Sequence, residues 1–119
     1  EIGEATNIQD GSILHVDDDH PCLIADHVHV GHHANLHGCA VERGAMIGIG
    51  AIVLSGARVG AGAIVGAGSV VLEGTRIPPR MLAVGVPAKV VRPVTAKDLA
   101  YIRRWVATYV RLARAHQKK

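Results

Sequence analysis

An aliphatic residue recurs at every sixth position through the middle of the chain. The register is unbroken over Val41, Ile47, Val53, Val59, Val65, Val71 and Ile77. The residue four places after each of the first six is small: Ala45, Ala51, Ala57, Ala63, Ser69 and Thr75. An α-helix repeats about every 3.6 residues and a strand alternates about every two, so neither explains this period. A fixed hexapeptide period instead indicates a solenoid of the parallel β-helix type.

Hexapeptides of this kind predict a triangular prism with one short strand on each face. Three of them make one coil of about eighteen residues, in which the aliphatic fills the narrow interior and the small residue turns the corner. The composition agrees, because the chain has no phenylalanine and aromatic residues make up only 3% of it. We therefore expect a mainly β chain of one domain.

The same six-residue rule also applies upstream. It picks out Ile2, Ile8 and Leu14, and after a break Ile24, Val30 and Leu36. Leu14 and Leu36 are 22 residues apart (36 − 14), which is one coil plus four residues. Residues 16–22, with the sequence VDDDHPC, break the pattern and are predicted to form a loop insertion. Leu14 and Leu36 should then lie on the same face in successive coils.

Three histidines fall at defined places in this register. His15 and His37 each follow one of these leucines, so they should be neighbours about 4.8 Å apart and able to converge on one metal ion. His32 follows Val30 by two residues, near the corner of the preceding face, and could join them only from a neighbouring subunit. Three imidazoles with an open fourth position are typical of catalytic zinc. The competing interpretation is surface histidines on a chain that has 8 of them.

Four segments resemble a known family over nearly the whole chain. They are TNIQDGSILHVD (6–17), HVHVGHHANLHGC (27–39), IGIGAIVLSGARVG (47–60) and VGVPAKVVRPVT (84–95). With these segments the sequence resembles the γ-class carbonic anhydrases and their close hexapeptide-repeat relatives. The first two segments are the specific ones, because the hexapeptide pattern and the VGVPAKV ending also occur in acyltransferases.

The resemblance implies a left-handed β-helix followed by a C-terminal α-helix, assembled as a homotrimer. It implies that His15, His32 and His37 bind the metal, with His32 supplied across the subunit interface. The metal would be Zn²⁺, with Co²⁺ and Fe²⁺ as other ions that accept imidazole. A metal-bound hydroxide would then hydrate CO2 reversibly to bicarbonate.

Further site residues also follow from the resemblance. Gln9 matches the family glutamine that hydrogen-bonds the metal-bound water or bicarbonate, and Asn7 is its supporting polar neighbour. From the residues alone, both would be read as a polar ladder on a solvated face. Tyr109 resembles a family tyrosine near the site, although packing of the helix is the default for it. The remaining histidines of this region are expected at outward or corner positions and not as ligands: His27, His29 and His33.

The loop and the cysteines are open to more than one interpretation. Asp17 to His20 could export protons, since carboxylates and imidazole both titrate in a useful range, but a solvated acidic loop is the simpler reading. Cys39 is expected to pack as a small hydrophobe, and a disulfide with Cys22 has no support. A reducing, cytoplasmic compartment is the default for so few cysteines.

The chain divides into a repeat region, 1–94, and a C-terminal α-helix with a basic tail, 95–119. The repeat fades after Ile77, and Thr95 with Asp98 forms a variant of the capping box at the start of the helix. Members of the family begin with one or two further coils that carry an Arg-Gly-Asp segment, so N-terminal coils are expected to be missing here. A net charge of +3 without interleaved aromatics disfavours nucleic acid, and no apolar run is long enough for a membrane span.

Two other functions compete with carbonic anhydrase activity. A hexapeptide acyltransferase or CoA-thioester enzyme would use the groove between prisms for CoA and one histidine as base, which leaves the other two histidines without a role. A trimeric relative without catalytic activity would keep the fold alone. Retention of the three histidines and Gln9 favours the carbonic anhydrase.

Overall fold

Short strands dominate the computed structural model, which describes residues 1–101, 103–104 and 111–112. In chain order the strands are β1 (Asn7–Ile8), β2 (Ile13–His15), β3 (Leu23–Ile24), β4 (His29–Val30), β5 (Asn35–His37), β6 (Ala40–Val41), β7 (Met46–Ile47), β8 (Ile52–Val53), β9 (Arg58–Val59), β10 (Ile64–Val65), β11 (Val70–Val71), β12 (Arg76–Ile77), β13 (Met81–Val84) and β14 (Lys89–Pro93). Most hold two residues because the chain must turn a corner within every hexapeptide.

Every third strand pairs in parallel, so the chain visits three sheets in turn. One face is β1-β4-β7-β10-β13, with β14 added at its edge; the second is β2-β5-β8-β11 and the third is β3-β6-β9-β12. Ile47 pairs with Val65, and Val53 with Val71, each across a separation of one eighteen-residue coil. The predicted parallel β-helix of hexapeptide repeats is therefore confirmed.

The repeated aliphatics form the core as predicted. They are almost completely shielded from solvent, and the largest of them are Leu36, Ile47, Val30, Val41, Val53, Val59, Val65 and Val71. Stacking places each one directly above its equivalent in the coil below, as the pairing of Leu36 with Val53 shows. Removal of this continuous apolar column from water supplies the main favourable contribution to folding.

The corners differ from the prediction in one respect. The residue with left-handed backbone geometry is the glycine before the small residue, as at Gly50 and Gly56, where φ is 69° and 74°. Ala51 and Ala57, which were expected to turn the corner, are instead buried. Glycine is needed for the positive φ, whereas the following residue must be small because it enters the narrow interior.

The predicted loop insertion lies at the break in the six-residue register. β2 ends at His15 and β3 begins at Leu23, and no strand lies between them. Leu14 pairs with Leu36 across the predicted 22 residues, so the extra residues leave the stacking intact. Cys22 at the end of this loop and Cys39 are both buried free thiols.

The solenoid extends one strand further than predicted. Ala83, six residues after Ile77, pairs with Val65 and is fully buried, so β13 continues the first face before β14 folds back antiparallel. The predicted capping box is confirmed: the Thr95 amide donates to Asp98, and the Asp98 amide donates to the Thr95 hydroxyl.

Helical residues follow this cap at 96–101, 103–104 and 111–112. The rest of the predicted C-terminal helix and tail, Tyr109 included, lies outside the described residues. Within the described part of the chain, no helix is both long and apolar enough to cross a membrane.

Candidate metal centre

His15 and His37 lie side by side at the ends of β2 and β5. The two residues pair in register, and their ring centroids are 4.8 Å apart with the ring planes inclined by 28°. The stack follows from Leu14 and Leu36, which anchor consecutive coils in the core and leave the next residue of each strand facing outwards. The predicted neighbourhood of these two histidines is therefore present in a single chain.

Ser55 fixes one ring of this pair. Its hydroxyl lies 3.0 Å from Nδ1 of His37, which leaves Nε2 as the ring nitrogen able to bind a metal ion. A hydrogen bond of this kind to the other ring nitrogen is how metal-binding histidines are usually oriented. The sequence analysis missed Ser55, because paired residues here are 17 positions apart, as Leu36 and Val53 are, whereas Ser55 follows His37 by 18.

His32 is on a different face, as its register required. It lines a cavity of about 200 Å³ beside β4. The other lining residues are Gln9, His29, Gly31, Met46, Ile49 and Tyr101. Among the described residues, no three His, Cys, Asp or Glu side chains come together in a way that could hold a metal ion. One chain thus presents two imidazoles on one face and a third on the neighbouring face.

Gln9 and His29 form a buried polar pair in the same cavity. The side-chain nitrogen of Gln9 lies 2.8 Å from Nε2 of His29, and the two residues are only 8% and 4% exposed. Because an amide nitrogen can only donate, His29 accepts this hydrogen bond in its neutral form. Burial, and secondarily the charge of His32, lowers the pKa of His29 and so favours that neutral form.

The position of His29 contradicts the expectation that it faces outwards or turns a corner. The expectation holds for His27 and His33, which have φ of 57° and 55° and occupy corners. His29 lies in β4, and Tyr101 from the C-terminal helical residues lines the same cavity over that face. The hexapeptide register does not include this tertiary cover, so it misjudged the burial.

Asn7 lies in β1, two residues before Gln9. Its Oδ1 is buried and has no hydrogen-bond partner among the described residues. A buried acceptor without a partner is rare and calls for a further donor such as water. Oδ1 of Asn7 can therefore accept a hydrogen bond from a group that is not one of the described side chains.

The residues present fit a metal ion when two copies of the chain are considered. Imidazole nitrogens suit Zn²⁺ and neighbouring divalent ions, and a catalytic site needs three ligands with a fourth position open. His15 and His37 supply two from one face, with Ser55 orienting the second ring. His32 lies on the neighbouring face and does not join this pair within the described part of one chain.

Curated proteins with similar sequences are named carbonic anhydrases. The chain is 41% identical to γ carbonic anhydrase 1, mitochondrial, of Arabidopsis thaliana over 97% of its own length and 44% of the relative's. It is 46% identical to a probable carbonic anhydrase of Methanocaldococcus jannaschii, covering 94% of the chain and 70% of the relative. For the carbonic anhydrase of Geobacillus kaustophilus the identity is 49%, covering 92% and 60%. The chain therefore spans less than half of the Arabidopsis protein.

Solved structures with the same fold carry transferase names. A Bacillus cereus protein assigned to the acetyltransferases superposes with a TM-score of 0.96 at 43% identity, covering 98% of this chain and 68% of that one. A hexapeptide transferase family protein from Anaplasma phagocytophilum gives a TM-score of 0.90 at 33% identity, covering 97% and 68%. No protein-family model matches the chain.

The sequence relatives and the histidine register agree. The Methanocaldococcus relative is covered over more than two thirds of its length at well above 30% identity, and the similar Arabidopsis protein bears the γ-class name. The β-helix and the stacked histidines lie in the segments that first indicated this family. The chain belongs to the γ-class carbonic anhydrase family.

Proposed function

We propose that the protein is a metal-dependent carbonic anhydrase that reversibly hydrates CO2 to bicarbonate at sites shared between the subunits of a homotrimer. The observation that carries the proposal is the split histidine set. His15 and His37 stack on one face, whereas His32 lines a cavity on the next. The curated relatives named carbonic anhydrases support the same activity.

A homotrimer would unite the two parts of this histidine set. A heterologous interface repeated around a threefold axis brings one face of each subunit against a different face of the next. The β2-β5-β8-β11 face of one chain would then meet the β1-β4-β7-β10 face of its neighbour. Each of the three interfaces would hold His15 and His37 from one chain and His32 from the other.

The metal would be held by Nε2 of His37 together with one ring nitrogen each of His15 and His32. Zn²⁺ is the ion proposed, with Co²⁺ and Fe²⁺ as imidazole-binding substitutes. When bound, the ion lowers the pKa of a coordinated water towards neutrality, as is known for carbonic anhydrase, so that a nucleophile for CO2 exists at neutral pH.

The other residues of the proposed site bind the reactants and orient the histidine rings. Gln9 hydrogen-bonds the reacting water or bicarbonate, and its amide is held in place by His29 at 2.8 Å. Ser55 keeps the His37 ring in one orientation. Asn7 supports the same polar surface with its buried Oδ1. The expectation of a cytoplasmic location stays a prediction.

Metal analysis and CO2 hydration of the purified trimer test the proposal. We expect about one zinc ion per subunit, and we expect His15→Ala and His37→Ala each to lose the ion and the activity, since two imidazoles bind far more weakly than three. The matched control is His27→Asn, which removes an exposed imidazole at a left-handed corner that asparagine tolerates. Full metal content in both alanine variants would refute the assignment.

A CoA-dependent acyltransferase is the second candidate, favoured by the transferase names of the solved structures. Such an enzyme needs a groove for CoA and one histidine as base, so two of the three histidines would be dispensable. A titration with acetyl-CoA separates the candidates. Binding of CoA that survives removal of His15 and His37 would favour the transferase, whereas its absence with intact zinc binding favours the carbonic anhydrase.

A further inference from the structure

Gln9 and His29 meet on the outer surface of the β1-β4-β7-β10 face. His29 pairs in register with Asn7, and Gln9 follows Asn7 by two residues, so the hydrogen bond between the two side chains runs diagonally between coils. Continuing the pairing of β1 with β4 by one residue places Gly31 beside Gln9. Because Gly31 has no side chain, the Gln9 amide can reach across to His29.

The donors and acceptors of this pair fix the direction in which the amide points. The side-chain nitrogen of Gln9 lies 2.8 Å from Nε2 of His29, and an amide nitrogen only donates, so Nε2 accepts and the neutral ring holds its proton on Nδ1. With the nitrogen turned towards His29, Oε1 of Gln9 lies on the opposite side of the amide carbon. Gln9 lines the same cavity as His32, and Oε1 is the acceptor that Gln9 can offer to a molecule there.

Burial makes this orientation hard to reverse. Both side chains are buried, and turning the amide over would set Oε1 of Gln9 against the lone pair on Nε2 of His29. A buried polar group that loses its hydrogen bond has no water to replace it and bears the full desolvation penalty. Reversal would therefore require the His29 proton to move from Nδ1 to Nε2, so the tautomer of His29 and the orientation of Gln9 are set together.

We propose that His29 is a positioning residue that holds Gln9 with Oε1 facing the reactants. In this orientation Gln9 accepts a hydrogen bond from a species that carries an O–H group, namely water, hydroxide or bicarbonate. A planar anion without hydrogen, such as nitrate, cannot donate to Oε1 and is disfavoured. The orientation depends only on the Gln9–His29 pair, whereas the preference for bicarbonate over nitrate rests on the proposed function.

The nitrogen-15 shifts of His29 in the metal-free trimer test the orientation, at a pH above the ordinary pKa of histidine. We expect an unprotonated Nε2 and a protonated Nδ1 in wild type, a measurement that needs no variant to fold. In Gln9→Glu the carboxylate only accepts, so a proton should appear on Nε2 of His29. The internal control is His27, an exposed corner residue whose shifts should stay the same.

Anion inhibition of CO2 hydration by the zinc-loaded trimer tests the consequence. His29→Leu removes the acceptor, so the Gln9 amide can turn its nitrogen towards the reactants. We expect the ratio of the nitrate to the bicarbonate inhibition constant to fall about tenfold, the effect of about one hydrogen bond. His29→Gln keeps an oxygen that can accept from Gln9 and should return the ratio towards wild type. The matched control, His27→Asn, should leave it unchanged.

The outcomes separate the two proposals. A protonated Nε2 in wild-type His29 would overturn the orientation, and so would the same tautomer in wild type and Gln9→Glu. An unchanged inhibition ratio in His29→Leu would overturn the positioning role, since a loss of stability alone does not move a ratio of two inhibition constants. The expected tautomer in a trimer that binds zinc and does not hydrate CO2 would uphold the orientation and overturn the proposed function.

Discussion

The two faces that carry the candidate site differ in how they hold their side chains. On the β2-β5-β8-β11 face, His15 is exposed and His37 half-buried, and the known support comes from Ser55 at the side. On the β1-β4-β7-β10 face, Gln9 and His29 are buried and bonded to each other, and Tyr101 lines the cavity above them. In the proposed site, the first face would supply two metal ligands, whereas the second would supply one ligand beside the buried Gln9–His29 pair.

This contrast shows that strands of the same repeat can place very different polar surroundings on two faces of one prism. Both faces use the same aliphatic column, since Leu36 and Val30 are equally buried. The two faces differ in the residues that flank this column and in the chain segment that covers those residues. A complete site, as proposed, requires both faces, and neither is sufficient alone.

The largest expected effect comes from removing one ligand on each face in separate chains. His15→Ala and His32→Ala homotrimers should each lose more than about 100-fold in CO2 hydration, because even an indirect support of a ligand is worth 10–100-fold. Trimers reassembled from equal amounts of both variants should regain about a quarter of wild-type activity, since about one interface in four pairs two intact faces. The measurement is hydration activity with zinc content.

Mixing His15→Ala with His37→Ala is the matched control. Both changes damage the same face, so no interface becomes complete and no recovery is expected. Recovery in this control, or none in the first mixture despite mixed trimers, would contradict a site shared between faces.

The next effect probes the column common to both faces. Leu36→Ala should lower the free energy of unfolding by about 2–5 kcal/mol, because Leu36 is fully buried and its removal leaves a cavity. Leu23→Ala, at a side chain that is 43% exposed on the β3-β6-β9-β12 face and outside the proposed interface, should change it by less than about 1 kcal/mol. Chemical denaturation gives both values, and equal losses would contradict the assigned burial.

The register explains why one face was more predictable than the other. The stacking of His15 on His37 could be predicted from the spacing of Leu14 and Leu36 and the loop insertion between them, and the structure confirms it. The contact of Ser55 with His37 could not be predicted in this way, because the two residues are 18 apart whereas the paired residues of these coils, such as Leu36 and Val53, are 17 apart.

The second face depends on contacts that no repeat encodes. Tyr101 of the C-terminal helical residues lines the cavity beside His29, and the bond of His29 to Gln9 joins residues 20 positions apart. The corner glycines were misread for a similar reason: the period locates a corner, but φ decides which of its residues turns the chain.

A smaller effect tests the buried pair of the second face. His29→Leu leaves the Gln9 amide without its acceptor and should lower the free energy of unfolding by about 1–3 kcal/mol, whereas His29→Gln keeps an acceptor and should cost less. The double variant Gln9→Leu/His29→Leu should cost less than the sum of the single changes, which urea titrations can measure. Strict additivity would contradict the pairing.

The same pair predicts a pH dependence. Because the pKa of His29 is lowered in the folded state from its ordinary 6.5, the unfolded chain binds the proton more readily. Stability is therefore fully present above pH 6.5 and is lost as the pH falls from there towards the lowered pKa. His29→Gln should show a shallower loss than wild type over this range, and an identical slope would contradict a buried neutral His29.

The smallest effect concerns the cover of the second face. Thr95→Ala removes the hydroxyl that accepts from the Asp98 amide, and should lower stability by about 1 kcal/mol as loss of a helix cap usually does. Thr95→Ser keeps the cap and is the matched control. If the helix covers only the second face, amide exchange should rise around Tyr101 and His29 in Thr95→Ala while the strands bearing His15 and His37 keep their protection. Equal loosening of both faces would mean that the helix stabilises the prism as a whole, and the asymmetry between the two faces would lie in their side chains alone.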